Sequence, residues 1–157
     1  MDNIKTTEGD RIVRGAKFAI VATRFNDFIV ESLLKAALHC LRQHGAADVD
    51  IEIVRVPGAM EMAVVVNKLA ASRRFDGIIA LGAVIRGGTP HFDYVAGECV
   101  AGLSAASQTH GIPVGFGVLT VDTIEQAIER SGTKAGNKGE EATLAVIETV
   151  NLLRRID

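Results

Sequence analysis

The chain has 157 residues, of which 48% are hydrophobic and 23% are charged, and its formal net charge at pH 7 is −2. This balance, with no cluster of Lys and Arg and no Trp, argues against a nucleic-acid-binding surface. The sequence has no N-terminal signal pattern and no apolar run of membrane-spanning length, so we expect a cytoplasmic protein that does not bind membranes. The length predicts a single domain over residues 1–157. The apolar composition predicts a sheet buried on both faces, a subunit interface, or both.

The first elements predicted from the sequence are a polar arm, a buried strand and an amphipathic helix. Residues 1–15 show no apolar period, so they form either a disordered arm or a segment that pairs with a neighbouring subunit's sheet edge. Residues 17–23 (KFAIVAT) are typical of a strand buried on both faces. Asn26 or Asp27 is suited to cap the next helix, whose apolar period continues until Gly45, a natural stop.

Two residues in the next part of the chain fit either a structural role or ligand binding. One lies in the second predicted helix, and the other lies at the junction after the first strand. Residues 50–56 alternate as a strand, a Pro-Gly turn follows, and residues 59–71 form an apolar helix. Glu61 lies in the first turn of that helix, where the helix dipole stabilises a carboxylate, and beyond a strand end it is equally suited to bind ligand hydroxyls. Phe25, at the first strand-to-helix junction, either packs in the core or stacks on a planar ligand. The residues alone leave both questions open.

The third strand leads into the stretch with the strongest functional signal. Residues 78–85 are apolar and largely β-branched, which indicates a buried strand, and residues 94–110 have the pattern of a helix. Residues 86–91 between them read RGGTPH. The glycines let the backbone approach a ligand, and a helix N-terminus offers N–H groups to an anion. Arg86 adds a permanent cation, and the Thr and His add a hydroxyl and a titratable group. The loop is therefore either a ligand site or a Gly-rich turn with a solvated histidine.

A fourth strand and a short helix follow. Residues 112–119 (IPVGFGVL) read as a strand, and Phe116, flanked by glycines, is expected to be exposed. Asp122 and Glu125 have the spacing of a capping box. They predict the start of the helix that carries Arg130.

Residues 131–139 read SGTKAGNKG and form either a flexible polar linker or a cationic loop that holds phosphate. They lack the order of a Walker A motif, and no GxGxxG follows a strand, so ATP and dinucleotides are not expected. Cys40 and Cys99 lie in helical patterns and read as small core residues. Because no Cys/His spacing suggests a ligand set, we expect no metal and no cofactor.

With a final amphipathic helix over residues 140–155, four strands alternate with helices through short links. This order predicts an α/β fold, a three-layer α/β/α sandwich around a four-stranded parallel sheet. Right-handed crossovers place the carboxyl ends of the strands along one edge. Residues that follow the strands are therefore expected to share a site at that edge.

Five stretches in order, across nearly the whole chain, resemble the lumazine synthase family of riboflavin biosynthesis. They are TRFN (23–26), VPGAMEM (56–62), ALGAVIRGGTPHFDYVAGE (80–98), PVGFGVLT (113–120) and GTKAGNKG (132–139). The resemblance implies a flavodoxin-like sheet in one lumazine synthase domain. It also implies an enzyme, a transferase that condenses 5-amino-6-(D-ribitylamino)uracil with 3,4-dihydroxy-2-butanone 4-phosphate. The products are 6,7-dimethyl-8-ribityllumazine, phosphate and water.

The resemblance also implies roles for individual residues. Phe25 would stack on the pyrimidine, whose edge would meet backbone groups of Ala83, Val84 and Ile85. The ribityl chain would be bound by Asn26, Ala59, Met60 and Glu61. The phosphate would lie at a helix N-terminus against Gly88 and Thr89. His91 resembles the family's proton-transfer residue.

The same resemblance implies a site shared between subunits. Phe116, Arg130 and Lys138 would reach in from the adjacent subunit, with Arg130 as counter-charge to the phosphate. Family members are pentamers or shells of sixty subunits built from twelve pentamers, and the compact loop over residues 132–139 favours the shell. Riboflavin synthase is the macromolecular partner that this function implies.

Two other functions compete with catalysis. A homologue that binds lumazine or flavin, or only forms a shell, would have less use for His91, Arg130 and Lys138. A generic flavodoxin-like phosphate-binding module would explain the α/β pattern but not five ordered motifs.

Overall fold

The computed structural model describes residues 2–156, and it contains a parallel sheet flanked by helices, as the sequence predicts. Met1 and Asp157, which belong to the predicted arm and domain, lie outside the described residues. The main strands are β1 (Phe18–Thr23), β2 (Ile51–Val56), β3 (Gly77–Ile85) and β4 (Val114–Val121). The helices are α1 (Asp27–Gln43), α2 (Ala59–Ala71), α3 (His91–His110), α4 (Ile124–Glu129) and α5 (Lys138–Arg155).

The predicted parallel sheet is confirmed, with strand order β2-β1-β3-β4 and parallel pairing between all neighbours. The inner strand β1 is buried along its whole length, and β3 is buried except at its last residue. The edge strand β2 is largely accessible. This difference follows from position, because only strands with a neighbour on each side and a helix on each face are enclosed.

Two separate cores confirm the three layers. Ile20 of β1 packs in one core with Leu33 of α1 and Val146 of α5. The next residue, Val21, points to the opposite face and packs with Met62 of α2 and other residues of that layer. The helices α1 and α5 therefore cover one face of the sheet, and α2 and α3 cover the other. No helix within residues 2–156 combines the length and apolarity needed to cross a membrane.

The two cysteines are core residues, as predicted. Cys40 belongs to the core under α1 and α5, and Cys99 to the core under α2 and α3. Both are free thiols. Burial raises the pKa of the Cys40 thiol to about 11, and it also raises the pKa of Cys99. Both side chains are therefore protonated and unreactive at neutral pH.

Helix starts differ from the predictions because of their capping residues. The helix predicted from residue 94 begins at His91, directly after Pro90, whose φ of −71° suits a helix start. The predicted cap of α1 is wrong in its mechanism: Asn26 occupies the N-cap position, but its side chain makes no capping hydrogen bond. The predicted Asp122–Glu125 box is also wrong. Thr123 is the N-cap of α4, and its hydroxyl accepts a hydrogen bond from the Gln126 N–H at 3.1 Å.

The Gly-rich stretch 131–139 is not a flexible linker. It forms a short antiparallel hairpin of β5 (Ser131–Thr133) and β6 (Gly136–Asn137). The side chain of Asn137 then caps α5, accepting hydrogen bonds from the N–H groups of Gly139 and Glu140. A Cβ at Gly139 would lie 2.3 Å from the carbonyl oxygen of Leu33, so only glycine allows α5 to approach α1 this closely. The hairpin is therefore fixed where it joins α5.

The polar arm is ordered at its base, which contradicts a wholly disordered tail. The Asn151 amide of α5 donates hydrogen bonds to the carbonyl oxygens of Asp10 and Ile12, at 2.8 and 2.9 Å. The Val13 N–H donates to the carbonyl of His44 at 2.8 Å. Further out, Ile4 is exposed. Pairing of this outer part with a neighbouring subunit remains a prediction.

Candidate active site

A cleft of about 1060 Å³ opens at the carboxyl edge of the sheet, where the sequence predicts a site. Its walls are the connections that follow β1, β2 and β3, together with one side of α4. It is lined by Phe25, Asn26, Asp27, Phe28, Ile29, Gly58, Ala59, Met60, Glu61, Ala83, Val84, Ile85, Gly87, Thr89, His91, Phe92, Tyr94, Val95, Ile124 and Ile128. The cleft therefore collects most of the predicted site residues from three separate connections.

The connection after β1 presents an aromatic ring to the cleft. Phe25 is 72% exposed, so the alternative that it packs in the core is wrong. Its backbone is nevertheless fixed, because its N–H donates a hydrogen bond to the Pro57 carbonyl at 3.1 Å. The next residue, Asn26, has the left-handed conformation with a φ of 61°. Asparagine tolerates this conformation better than most residues, and the resulting turn leaves the Phe25 ring accessible.

The connection after β2 brings Glu61 into the cleft. The Glu61 N–H donates to the Gly58 carbonyl at 3.3 Å, so this residue belongs to the first turn of α2. Its side chain is exposed and also lines the cleft. Both alternatives for Glu61 therefore fit the structure, since one carboxylate interacts with the helix dipole and faces the cleft. Ala59 is buried beside it, and Met60 is 58% exposed.

The end of β3 offers backbone groups. Its pairing with β1 ends at Leu81, opposite Ala22, whereas β3 itself continues to Ile85. Ala83 and Val84 are buried and line the cleft. Strand β3 extends beyond the last residue that pairs with β1. The backbone edge of residues 83–85 on the β1 side therefore lies beside the cleft and not beside another strand. Such an edge presents N–H and C=O groups at fixed spacing to a planar ligand.

The loop over residues 86–90 contains the residues that are predicted to bind the phosphate of the substrate. It is exposed throughout, and a Cβ added at Gly87 or Gly88 would meet no heavy atom within 4 Å. Gly88 lies between the lining residues Gly87 and Thr89. His91 follows as the exposed first residue of α3, and it lines the cleft. The N-terminus of a long helix thus points at the cleft beside an open glycine backbone, an arrangement that favours an anion.

Arg86, the permanent cation of the predicted loop, is paired with two carboxylates of this chain. Its Nε donates to Asp122 at 2.8 Å, and its Nη1 lies 3.4 Å from an oxygen of Asp93. The guanidinium also stacks over the Phe92 ring, 4.3 Å from the centroid. The hydrogen bond that Arg86 donates to Asp122 raises the pKa of Arg86 above its ordinary value. Its charge is therefore engaged within the chain.

Besides Gly88, whose neighbours Gly87 and Thr89 line the cleft, three predicted site residues do not line this chain's own cleft. Phe116 is on the edge strand β4 and is 44% exposed, as predicted. Arg130 ends α4, where its Nη1 donates to the Gln126 carbonyl at 3.2 Å. Lys138 begins α5 and lies 3.5 Å from Glu141. All three belong to the β4 side of the molecule.

Sequence reasoning did not single out several lining residues. Phe28 and Tyr94 are large, apolar and more than 70% exposed. Ile124 and Ile128 are exposed one helical turn apart on α4. The sequence did contain a pattern that could have identified these residues. Apolar side chains beside the loop motifs, or at i, i+4 spacing on a helix, indicate a binding face when they are not needed for the core. Within residues 2–156, no three His, Cys, Asp or Glu side chains are grouped so as to hold a metal ion.

A doubly wound parallel sheet with its cleft at the carboxyl edge defines a flavodoxin-like α/β protein that binds a small molecule. The family model described as 6,7-dimethyl-8-ribityllumazine synthase matches residues 15–154. The chain therefore belongs to the 6,7-dimethyl-8-ribityllumazine synthase family.

Two curated relatives agree with this family over the whole chain. The 6,7-dimethyl-8-ribityllumazine synthase of Nitratidesulfovibrio vulgaris (strain DSM 19637 / Miyazaki F) is 60% identical over 99% of this chain and 100% of its own. The enzyme of the same name from Nitratidesulfovibrio vulgaris (strain DP4) is 58% identical over the same shares. The predicted enzyme class is thereby confirmed: the chain is a transferase of the lumazine-forming condensation in riboflavin biosynthesis. A generic phosphate-binding module is excluded.

Proposed function

We propose that the cleft binds both substrates of the condensation, 5-amino-6-(D-ribitylamino)uracil and 3,4-dihydroxy-2-butanone 4-phosphate. One observation carries this proposal: an accessible aromatic ring, the end of β3 beyond its pairing with β1, a carboxylate and a helix N-terminus face the same space. Each of these groups fits a different part of the two substrates. The cleft volume of about 1060 Å³ is large enough for both at once.

The pyrimidine end is assigned to Phe25 and the end of β3. The exposed ring offers a face for stacking, and the backbone of Ala83, Val84 and Ile85 offers donors and acceptors to the ring edge. The ribityl hydroxyls are assigned to Asn26, Glu61 and the backbone of Ala59 and Met60. Asn26 already donates its amide hydrogen to Ala83, so its side-chain oxygen is the group that accepts from a hydroxyl.

The phosphate end is assigned to Gly88, Thr89 and the N-terminus of α3. Open glycine backbone and helix N–H groups bind phosphate oxygens without a dedicated cation on the same loop. The counter-charge is Arg130 of an adjacent subunit. The planar fork of a guanidinium matches the geometry of phosphate oxygens.

His91 is assigned to proton transfer. The aminopyrimidine supplies its own nucleophile, so the protein needs no Ser, Cys or Lys nucleophile. It must align the amine with the ketone, move protons as water leaves, and stabilise the departing phosphate. His91 lines the same cleft as Phe25 and Thr89 and is the first residue of α3, which supports this assignment.

The complete site is assigned to two subunits of a ring. Phe116, Arg130 and Lys138 lie on the β4 side of the chain, outside its own cleft, which fits residues that serve a neighbour. Exposed apolar side chains on α2 and α3, Val64 and Val100 among them, also fit a subunit interface. We assign a homopentamer, and a shell of twelve pentamers from the compact hairpin over residues 131–137. Cytoplasmic location and an association with riboflavin synthase belong to the same proposal.

Subunit mixing tests the shared site. His91→Ala and Arg130→Ala variants are each expected to be impaired, because each removes one group from every site. When the two are co-assembled, about a quarter of the interfaces combine a wild-type His91 with a wild-type Arg130. Activity, measured by lumazine fluorescence and phosphate release together, should then exceed that of either variant alone.

Two controls define the outcome. Mixing separately folded pentamers without reassembly should give no gain, and wild-type subunits mixed with either variant should lose activity in proportion. If co-assembly restores nothing, His91 and Arg130 act in the same subunit or Arg130 has no role. Sedimentation of the wild-type protein at the mass of one pentamer would contradict the shell but not the shared site.

A further inference from the structure

Arg86 connects both ends of the loop that we assign to phosphate. Its backbone N–H donates to the Val121 carbonyl at 2.8 Å, which fixes the residue to β4. Its side chain then reaches across the loop to Phe92 and Asp93 in the first turn of α3. The intervening residues 87–90 are exposed, and packing around the glycines does not hold them. The contacts of Arg86 therefore span the loop from the residue before it to the helix after it.

The same contacts affect the charge near the N-terminus of α3. Asp93 lies in the first turn of this helix, where a carboxylate is attracted by the dipole and so competes with a bound anion. Asp122 brings a second carboxylate to the same corner, from the connection between β4 and α4. Both would repel a phosphate dianion. Arg86 binds both carboxylates at once, at 2.8 Å for Asp122 and 3.4 Å for Asp93.

We propose that Arg86 is a positioning residue for the phosphate-bearing substrate: it binds Asp93 and Asp122 so that these carboxylates do not oppose phosphate at the N-terminus of α3. The inference rests on the proposed phosphate site. Arg86 does not itself bind phosphate, because its guanidinium is occupied by two carboxylates and a ring face. Lysine is a poor substitute, since its single ammonium lacks the planar fork that contacts two carboxylates and stacks on an aromatic ring.

The test compares Arg86→Gln with Arg74→Gln. Arg74 is a matched control: it pairs with Glu52 at 3.1 Å and lies over the Phe75 ring at 4.8 Å, but it precedes β3 at the opposite edge of the sheet. Both pairs are exposed, and such pairs contribute little to stability. Both variants should therefore fold, which circular dichroism and thermal unfolding would verify.

The expected result is a selective change in binding of the phosphate-bearing substrate. Arg86→Gln should raise the KM for the butanone phosphate, and the inhibition constant of inorganic phosphate, by roughly three- to tenfold. Arg86→Gln should change the KM for the pyrimidine by less than about twofold relative to wild type. The control Arg74→Gln should change neither KM by more than about twofold. A purely structural role would raise both KM values together and would overturn the proposal.

A second experiment removes the negative charge of Asp93, which would repel the phosphate. Arg86→Gln/Asp93→Asn should recover part of the lost phosphate affinity, because the neutral amide no longer repels the anion. Arg86→Lys, which keeps the charge, should lie between wild type and Arg86→Gln, and it replaces Arg86→Gln if that variant does not fold. If the double variant recovers nothing, or if Arg86→Gln behaves as Arg74→Gln does, the proposal is wrong.

Thr89→Ala separates this inference from the proposed site. If Thr89→Ala leaves phosphate inhibition unchanged, the phosphate site itself is misassigned, and the Arg86 proposal fails with it. If Thr89→Ala weakens inhibition while Arg86→Gln matches its control, only the Arg86 proposal fails.

Discussion

The side-chain amide of Asn26 donates a hydrogen bond to the carbonyl oxygen of Ala83 at 3.0 Å, which joins the end of β1 to the end of β3. The bond spans two walls of the cleft, one with the Phe25 ring and one with the end of β3 beyond its pairing with β1. Asn26 makes this bond from the left-handed conformation, with a φ of 61°. One residue thereby sets the distance between the stacking ring and the backbone edge that we assign to the pyrimidine.

Two substitutions separate the conformation of Asn26 from its hydrogen bond. Asn26→Gly keeps the left-handed turn but loses the bond, so it should lower the free energy of unfolding by about 1 kcal/mol. Asn26→Ala loses the bond and also the local polar interactions by which an Asn side chain tolerates the left-handed conformation, so it should cost about 1–2 kcal/mol more than Asn26→Gly, which has no Cβ. Urea unfolding measures both, and equal values would show that the conformation carries no strain. Both variants should also raise the KM for the pyrimidine.

Phe25 should matter for binding and not for folding. Because its ring is exposed, Phe25→Ser should change the free energy of unfolding by less than about 0.5 kcal/mol. Loss of stacking should weaken pyrimidine binding by about 1–3 kcal/mol, the range for a base on an aromatic ring. Titration calorimetry with the pyrimidine alone measures this loss. Phe25→Tyr keeps the stacking face and should bind as the wild type does, and a large loss in that variant would argue against stacking.

His91 should affect turnover more than binding. His91→Ala should lower kcat by about 10²-fold, the effect of removing a general acid–base group, and it should leave both KM values nearly unchanged. His110→Ala is the matched control, since His110 is the last residue of the same helix, hydrogen-bonded to Asn67 far from the cleft. Initial rates are measured against the spontaneous background. Equal kcat values for the two variants would remove His91 from the mechanism.

The contacts that Asp10 makes at the base of the N-terminal arm should stabilise the fold less at acidic pH. Hydrogen bonding to Arg14 holds the pKa of the Asp10 carboxyl well below its usual range. A lowered pKa in the folded state stabilises the fold above the unfolded pKa of about 3.9, and this contribution disappears as the pH falls further toward the folded pKa. Wild type should therefore exceed Asp10→Asn in stability at pH 7, and the difference should shrink below about pH 4.

Urea unfolding between pH 7 and pH 3 measures this difference. Asp2→Asn, at the exposed start of the described chain, is the control and should follow the wild type at every pH. A gap between wild type and Asp10→Asn that is independent of pH would show that the lost contact is not ionic.

The amino-acid order by itself determined the layered fold and the edge of the sheet where the cleft lies. Strands β1 and β3 were predictable because enclosure on both faces requires continuous apolar runs, and α2 because its apolar run follows a Pro-Gly turn. The hairpin over residues 131–137 was not predictable, because its order depends on Asn137 capping α5 and on Gly139 meeting the distant Leu33 backbone.

Within the cleft, the sequence identified the residue types and their connections but not their partners. Arg86 and His91 lie on the same loop, and local pattern gives both as candidates for ligand contact. Only the tertiary structure brings Asp122, which is 36 residues away, within 2.8 Å of Arg86 and so occupies its charge. Likewise, only the fold shows that β3 continues beyond its pairing with β1, so that residues 83–85 line the cleft together with Phe25. Local sequence sets the conformation and chemistry of each segment, whereas pairing between distant segments depends on how the layers pack, and that packing decides which groups stay free for a substrate.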